Sequence, residues 1–245
     1  MLLDAHALAI VAALGALAAI VGGMGGFGTG IILTAALAPF IGVKAVIPVL
    51  AVAGAIINGG RFWFYRHSLQ RRQLALVLAS SLPLLVLGTW IYSALDARAV
   101  GTVLGIAVIA SVPLRRALNR RKMALGNAGL AVGATVFGLA SGLTSGVGVI
   151  LVSLLLGTGM SGSAVLATDA LASVVLDLCK AALFQRLDLL NEQTFVTGVV
   201  IGAATIPGSA IAAWLVNRMH AHLHVLFLES LILIGGASLL WNSWR

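Results

Sequence analysis

Long apolar runs dominate this sequence and restrict what the chain can fold into. Residues 74–95 and 194–216 are each long enough to cross the hydrocarbon core of a bilayer, which takes about 20 apolar residues in a helix. Over the whole chain 60% of the residues are apolar and only 9% are charged, against about 25% charged in an ordinary soluble domain. So few charges cannot solvate the surface of a globule, which excludes a soluble or a disordered chain. The sequence predicts an all-α, multi-pass integral membrane protein.

The charged residues lie in short stretches between the apolar runs. Lys and Arg number 15, against 7 Asp and Glu. Most of the arginines fall within residues 61–72 and 115–122, and the positive-inside rule places both stretches in the cytoplasm. A basic chain can also bind nucleic acid, but membrane topology already explains where these charges lie. We therefore expect a protein of the cytoplasmic membrane that has no nucleic-acid partner.

The second half of the chain repeats the order of the first. This predicts two repeats, residues 1–122 and 123–245, within one membrane domain, with five helical segments in each. Glycines and polar residues support the repeat best, because apolar residues agree often by chance. The matches are Gly30 with Gly148 at an offset of 118, and Asn58 and Arg61 with Asp177 and Lys180 at an offset of 119.

A cluster of small residues interrupts each half, at residues 22–30 and 141–148. The apolar run that follows the second cluster, residues 149–156, rises only about 12 Å, far less than the roughly 30 Å of the hydrocarbon core. We therefore interpret each cluster as the turn of a broken or re-entrant helix, covered by protein or water. Five segments with an odd number of crossings would make the repeats inverted, with both termini outside. The alternative is four spans per half, with parallel repeats and both termini inside, and charge counting alone slightly favours it.

The small-residue clusters form the first part of a predicted anion site. A helix that starts near Gly30 or Gly148 would direct the positive end of its dipole into the protein. Thr29, Thr144 and Ser145 could add hydroxyl donors. The alternative explanation is close packing of helices through small residues, which needs no ligand.

Ionisable residues within the apolar runs form the second part. Asp177 and Lys180 lie one helical turn apart, and an oxyanion would bind a cation such as Lys180 or Arg61. Charge inside a membrane is costly, so Asp169 and Asp177 are expected to face a cavity and are candidates for proton coupling. The alternatives are snorkelling of Arg61 and Lys180 to the headgroups and a carboxylate at the helix start for Asp169.

The other side chains give no sign of an enzyme. No Ser-His-Asp order and no carboxylate pair is placed for catalysis. His220, His222 and His224 could supply metal ligands, but no carboxylate or cysteine lies close in the sequence, and we interpret them as a solvated loop. No metal and no cofactor is predicted. The one cysteine, Cys179, excludes an intrachain disulfide.

Together these motifs resemble the sulfite exporter TauE/SafE family of membrane permeases over nearly the whole chain. The resemblance rests on the two small-residue clusters, each followed by an apolar run. It also rests on Ala167-Thr168-Asp169, similar to an Ala-Thr-Ser motif, and on Asp177-Leu178-Cys179-Lys180, similar to Asn-x-x-Lys. By position, the resemblance implicates Gly28, Gly30, Gly146, Gly148, Asp177 and Lys180. The carboxylates of Asp169 and Asp177 depart from the family's pattern and add negative charge beside the anion path.

The resemblance implies a secondary transporter of small sulfur oxyanions, such as sulfite or organosulfonates. We expect it to be proton-coupled and to work by alternating access. Its partners would be the small anion and the lipid bilayer, and the sequence leaves the oligomeric state open. The alternatives are a passive anion channel and a membrane-embedded enzyme or assembly subunit. The predicted substrate-binding residues are Gly28, Thr29, Gly30, Asn58, Arg61, Thr144, Ser145, Gly146, Gly148 and Lys180, with Asp169 and Asp177 for proton coupling.

Overall fold

The computed structural model describes residues 5–23, 28–120, 124–160, 162–216 and 221–244. Over these ranges the chain forms ten α-helices and one short 3₁₀ turn, and no strand. Inside a bilayer each helix satisfies its own backbone hydrogen bonds, which explains why an apolar chain folds this way. The all-α prediction is confirmed. The helices are α1 (Ala5–Gly23), α2 (Gly28–Ile41), α3 (Val43–Tyr65), α4 (Arg71–Ala94), α5 (Ala97–Arg120), α6 (Asn127–Leu143), α7 (Gly148–Gly157), α8 (Gly162–Arg186), α9 (Glu192–Val216) and α10 (Ala221–Trp244).

Length and composition allow several of these helices to cross a membrane. Among the described residues, four segments qualify: Val43–Ser68, Arg71–Ala94, Ala97–Leu114 and Gly162–Arg186. Large apolar side chains such as Leu87, Ile106 and Leu178 are exposed on these segments, which suits a surface against lipid tails. Helices α2 and α7 are much shorter, with 14 and 10 residues. The chain is therefore a multi-pass membrane protein with helices of unequal length.

The helices extend beyond the apolar runs in the sequence. Helix α3 continues to Tyr65, a 3₁₀ turn follows at Arg66–Ser68, and α4 starts at Arg71. Most of residues 61–72, expected as a basic loop, are therefore helical, and Arg61 lies one turn before the end of α3. Hydropathy marks where a helix leaves the hydrocarbon, whereas backbone hydrogen bonding continues into the interface.

Helix α4 runs parallel to α6, and α1 runs parallel to α9, each pair in close contact. Along the contact of α4 with α6, the backbone of Gly138 lies against that of Ser81, and Gly142 against that of Leu85. Residue numbers rise together, so these helices have the same direction. Small residues permit this approach of two backbones. The corresponding contacts of α1 with α9 are Gly15 with Ile201 and Gly208 with Ala16.

Two other pairs run antiparallel. In the contact of α5 with α10, Gly101 lies against Ser243 and Gly105 against Gly236, so one number rises as the other falls. Helix α3 packs against α8 in the same antiparallel manner, since Gly54 lies against Asp177 and Arg61 against Asp169. This contact borders the site described below. Helix α9 runs parallel to α3, since Gly198 lies against Val49 and Gly202 against Ala53.

These directions define two ends of the helix bundle. The basic end carries Arg66, Arg71 and Arg72, and there the backbone N–H of Gln70 donates to Thr168 Oγ1, near the start of α8, at 3.2 Å. The Arg66 guanidinium stacks at 4.3 Å on the ring of Trp63. Stacked tryptophan and arginine side chains suit the membrane interface.

The distal end carries the turn at Asp96 and the start of α5. The guanidinium of Arg98 stacks at 4.1 Å on the ring of Trp244, so α10 ends there as well. The Tyr92 hydroxyl donates at 3.2 Å to the carbonyl of Val43, which places the start of α3 at this end. Phe184, near the end of α8, meets the Tyr92 ring edge-on with centroids 5.4 Å apart.

Candidate functional site

A cavity of about 140 Å³ lies between α2, α3, α6, α7 and α8. The first half of the chain supplies α2 and α3, and the second half supplies the other three helices. Gly28 is the first residue of α2. The roles assigned to the predicted residues stay predictions, but the fold brings them together from distant parts of the sequence. Those that line the cavity are Thr29, Gly30, Asn58, Arg61, Thr144, Ser145, Gly146, Gly148, Asp169, Asp177 and Lys180.

The two small-residue clusters meet at this cavity. A β-carbon at Gly30 would lie 2.9 Å from Ser145 Oγ and 3.3 Å from the backbone nitrogen of Gly146, so the contact depends on the missing side chain. Gly146 has a φ of 78°, a left-handed conformation that suits glycine. Helix α7 starts directly afterwards at Gly148, and no side chain caps its first turn. The positive N-terminal ends of α2 and α7 therefore border one space, an arrangement that favours an anion.

Hydroxyl groups add further donors to the lining. Besides the predicted Thr29 and Ser145, Ser141 and Ser173 border the cavity. Sequence reasoning missed both of these serines. Ser173 lies four residues from Asp169 and four from Asp177, so a count of positions on one helical face would have found it.

Two ion pairs lie in the cavity wall. The Arg61 guanidinium on α3 is paired with Asp169 Oδ2 on α8. Within α8, Lys180 Nζ lies 2.9 Å from Asp177 Oδ1. Asn58 Nδ2 on α3 donates to the other oxygen of Asp177, Oδ2, at 3.2 Å. Both oxygens of Asp177 are thus held, one from each half of the protein.

Burial distinguishes Lys180 and Asp169 from interfacial charges, whereas the side chain of Arg61 is 25% exposed. Lys180 is 4% exposed and Asp169 is 2% exposed. Lys180 therefore does not snorkel to the headgroups, and Arg61 points to Asp169 across the cavity. Asp169 lies seven residues into α8, facing Arg61, so it is not a carboxylate of the helix start.

With all four groups ionised, the cavity contains two cations and two carboxylates and carries no net charge. Asp169 Oδ1 is buried and has no hydrogen-bond partner among the residues that the structure describes. A buried polar oxygen without a donor is costly to a fold. This oxygen is therefore a place where a proton could bind.

The lining faces of α3 and α8 have identical spacing. Each contributes positions i, i+4, i+7, i+8 and i+11, which form one helical face. The offset of 119, noticed in the sequence at two pairs of polar residues, holds for every lining position of the two helices. The pairs are Leu50 with Asp169, Gly54 with Ser173, Ile57 with Leu176, Asn58 with Asp177 and Arg61 with Lys180.

Metal ligands do not gather in the part of the chain that the structure describes. No group of three or more His, Cys, Asp or Glu side chains is placed there to hold a metal ion. His220, and the side chains of His222 and His224, lie outside the description.

The comparisons with known proteins bear on the chain as a whole. The family described as sulfite exporter TauE/SafE matches residues 11–239. Comparisons with curated proteins and with solved structures gave no match. The matched residues include the whole cavity lining, from Thr29 to Lys180. Because the match covers nearly the whole chain, this protein belongs to the sulfite exporter TauE/SafE family, a family of membrane transporters.

Proposed function

We propose that the protein moves sulfite or a related small sulfur oxyanion across the cytoplasmic membrane, with the cavity between α3 and α8 as its binding site. The observation that carries the proposal is the meeting of Arg61, Lys180 and two helix N-termini in one buried cavity of a chain from a sulfite-exporter family. This set of chemical groups is one that recognises oxyanions. Charged donors form the strongest hydrogen bonds to an oxyanion, and helix N-termini and hydroxyls complete its coordination.

The size of the cavity fits a small substrate. About 140 Å³ is roughly ten times the 10–15 Å³ of cavity space that one water molecule needs. A three-oxygen anion and a few waters fill such a space. Leu33, Phe137 and Leu176 form an apolar part of the wall, which would accept the carbon atoms of a small sulfonate.

The charge of the cavity supports proton coupling. Each cation already has a carboxylate partner, so an added anion would leave the buried cavity with a net negative charge. A proton bound to Asp169 or Asp177 would restore neutrality and release a cation to the substrate. We therefore expect the anion to move together with a proton.

Helix directions support inverted repeats. The third helices of the two halves, α3 and α8, run antiparallel, and so do the fifth helices, α5 and α10. Matching helices are antiparallel when the repeats are related by an axis in the membrane plane, and parallel when the axis lies along the membrane normal. With the basic end in the cytoplasm, the start of α1 and the end of α10 would lie outside.

Inverted repeats that share a central site are suited to alternating access. The cavity is bordered by α3 of one half and α8 of the other, so a rocking motion between the halves would widen it at one end and narrow it at the other. We propose this motion as the transport mechanism.

Electrophysiology on supported membranes tests the proposal. Purified protein in liposomes receives concentration jumps of sulfite, sulfate, thiosulfate, a sulfonate and chloride at two pH values. We expect a transient, saturable current for a sulfur oxyanion that changes with pH, and we expect Lys180→Ala to abolish it. Lys44→Ala is the matched control, because Lys44 lies outside the cavity lining.

Two results would contradict the proposal. A flux that never saturates and cannot accumulate substrate uphill would indicate a passive channel. Electroneutral transport gives no current, so tracer uptake is measured beside it. If folded protein moves none of the sulfur oxyanions by either method, the cavity is not a sulfur-oxyanion site.

A further inference from the structure

We infer that Arg61 and Asp169 form a latch that closes the basic end of the cavity, and that no equivalent ion pair closes the distal end among the residues that the structure describes. The inference rests on the proposed alternating access between two halves. It assigns different tasks to the two ion pairs in the cavity: the pair on α8 binds the anion, and the pair between α3 and α8 controls opening.

The two pairs differ in what they connect. Lys180 and Asp177 are three residues apart on one helix, so their contact can break without any movement of the backbone. Arg61 and Asp169 belong to different helices and different halves of the chain. Helices α3 and α8 cannot separate at this level unless that contact breaks.

The latch lies towards the basic end. Arg61 is four residues from the end of α3 at Tyr65, and Asp169 is seven residues from the start of α8 at Gly162. Directly beside Asp169, the buried Thr168 hydroxyl accepts the backbone N–H of Gln70. The connection between α3 and α4 is thereby tied to α8 at the same level, so two neighbouring contacts hold this end together.

Comparison of the equivalent positions in the two halves shows that the distal end of the cavity differs from the basic end. Asp169 corresponds to Leu50 in the first half, and Arg61 corresponds to Lys180. The equivalent of the latch would join Lys180 to residue 50, but Leu50 has no carboxylate, and Lys180 pairs with Asp177 on its own helix. At the distal end the fully buried rings of Tyr92 and Phe184 meet instead.

This difference makes opening at the basic end conditional. Separating Arg61 from Asp169 would leave the buried carboxylate of Asp169, which is 2% exposed, without its cation. A proton on Asp169 removes that charge. The other charged groups that line the cavity around Asp169 are Asp177 and Lys180, which satisfy each other. The latch therefore opens readily only when Asp169 is protonated.

Cysteine labelling tests the latch without any substrate. In a Cys179→Ser background, Ser173→Cys places a thiol in the cavity wall, and a membrane-impermeant thiol reagent is applied to vesicles of either orientation. Asp169→Leu, which copies Leu50 of the first half, should raise labelling from the basic side by about tenfold, as expected when a buried pair no longer favours the closed state. Labelling from the distal side should not rise.

A double variant that exchanges the residues at positions 50 and 169 tests the latch further. Adding Leu50→Asp to Asp169→Leu keeps the composition of the cavity but offers Lys180 a carboxylate from the other half. We expect labelling from the distal side to fall below that of the parent, while labelling from the basic side stays high. Asp96→Asn is the matched control: it removes an exposed carboxylate outside the cavity lining and should leave labelling from both sides at the parental rate.

The outcomes are decisive in both directions. Unchanged basic-side labelling in Asp169→Leu, or an equal rise from both sides, would overturn the latch. If Asp169→Leu does not fold, Asp169→Asn removes the same charge with nearly the same shape and must give the same one-sided rise. If the parent protein carries no anion current but Asp169→Leu still shows the one-sided rise in labelling, the latch stands and only the proposed substrate is refuted.

Discussion

Replacement of Lys180 by methionine tests whether the pair within α8 is buried as the fold indicates. Lys180 and Asp177 have side-chain exposures of 6% and 13%. Removal of one partner of a buried ion pair typically costs 3–5 kcal/mol, because the other charge stays buried without compensation. Asn58 still donates to Asp177, so we expect about 3 kcal/mol for Lys180→Met. For a chain of this length that is a fall in Tm of about 6–12 °C.

The double variant separates stability from transport. In Lys180→Met with Asp177→Leu, both charges are gone, and apolar side chains of similar volume replace them, which is often neutral for stability. Thermal unfolding in detergent should therefore return to within a few degrees of the parent, whereas liposome uptake should be absent in both variants. Lys44→Met is the control. The reasoning is refuted if Lys180→Met unfolds at the parental temperature, or if the double variant retains saturable flux.

Three further predictions use close contacts and helix directions. Gly30→Val fills the space between the small-residue clusters, and we expect initial uptake rates to fall by more than about tenfold. Gly138→Val pushes α6 away from α4, and overpacking of this kind costs about 1–3 kcal/mol, seen as a lower Tm. In impermeant labelling, a cysteine at Asp96 and a tag after the last residue should react from one side of the membrane, and a cysteine at Arg72 from the other.

The uptake prediction has a control, and each of the three predictions has a result that would contradict it. Gly59 is a glycine of α3 with open space around the β-carbon position, so Gly59→Val should leave uptake nearly unchanged. Parental uptake in Gly30→Val would mean that the substrate does not pass the two clusters. A parental Tm in Gly138→Val would mean that α4 and α6 are not in backbone contact. Labelling of the tag from the side of Arg72 would indicate parallel repeats.

The sequence predicts much of the fold because charge is rare in it. In a chain with so few polar residues, apolar runs mark helices, and their number matches the ten helices described. The same scarcity makes Asp169, Asp177 and Lys180 visible as candidates, since a membrane helix keeps an ionisable residue only where it has a partner. Boundaries were less predictable: α3 runs to Tyr65 because helical hydrogen bonding continues past the hydrocarbon.

The sequence could not predict which residues form contacts between different helices. Arg61 and Asp169 are 108 residues apart, and only the antiparallel register of α3 against α8 brings them together. Spacing along the chain pairs Lys180 with Asp177, a contact within one helix, but it cannot identify a contact between helices. Ser173 was missed for a different reason: a serine in an apolar helix often bonds its own backbone, so its presence alone does not indicate a cavity.

The equal spacing of the lining faces of α3 and α8 bears on the relative energies of the two proposed access states. Two identical faces related by an inverted axis would make the states open to either side equal in energy. In this chain the matched positions share their spacing but not their residues: Asp169 corresponds to Leu50 and Asp177 to Asn58, so the second half holds both carboxylates. Under the proposed alternating access, a carboxylate at one end only would make the two access states unequal unless Asp169 is protonated. We therefore expect proton coupling to follow from this difference in charge between two faces that have the same spacing.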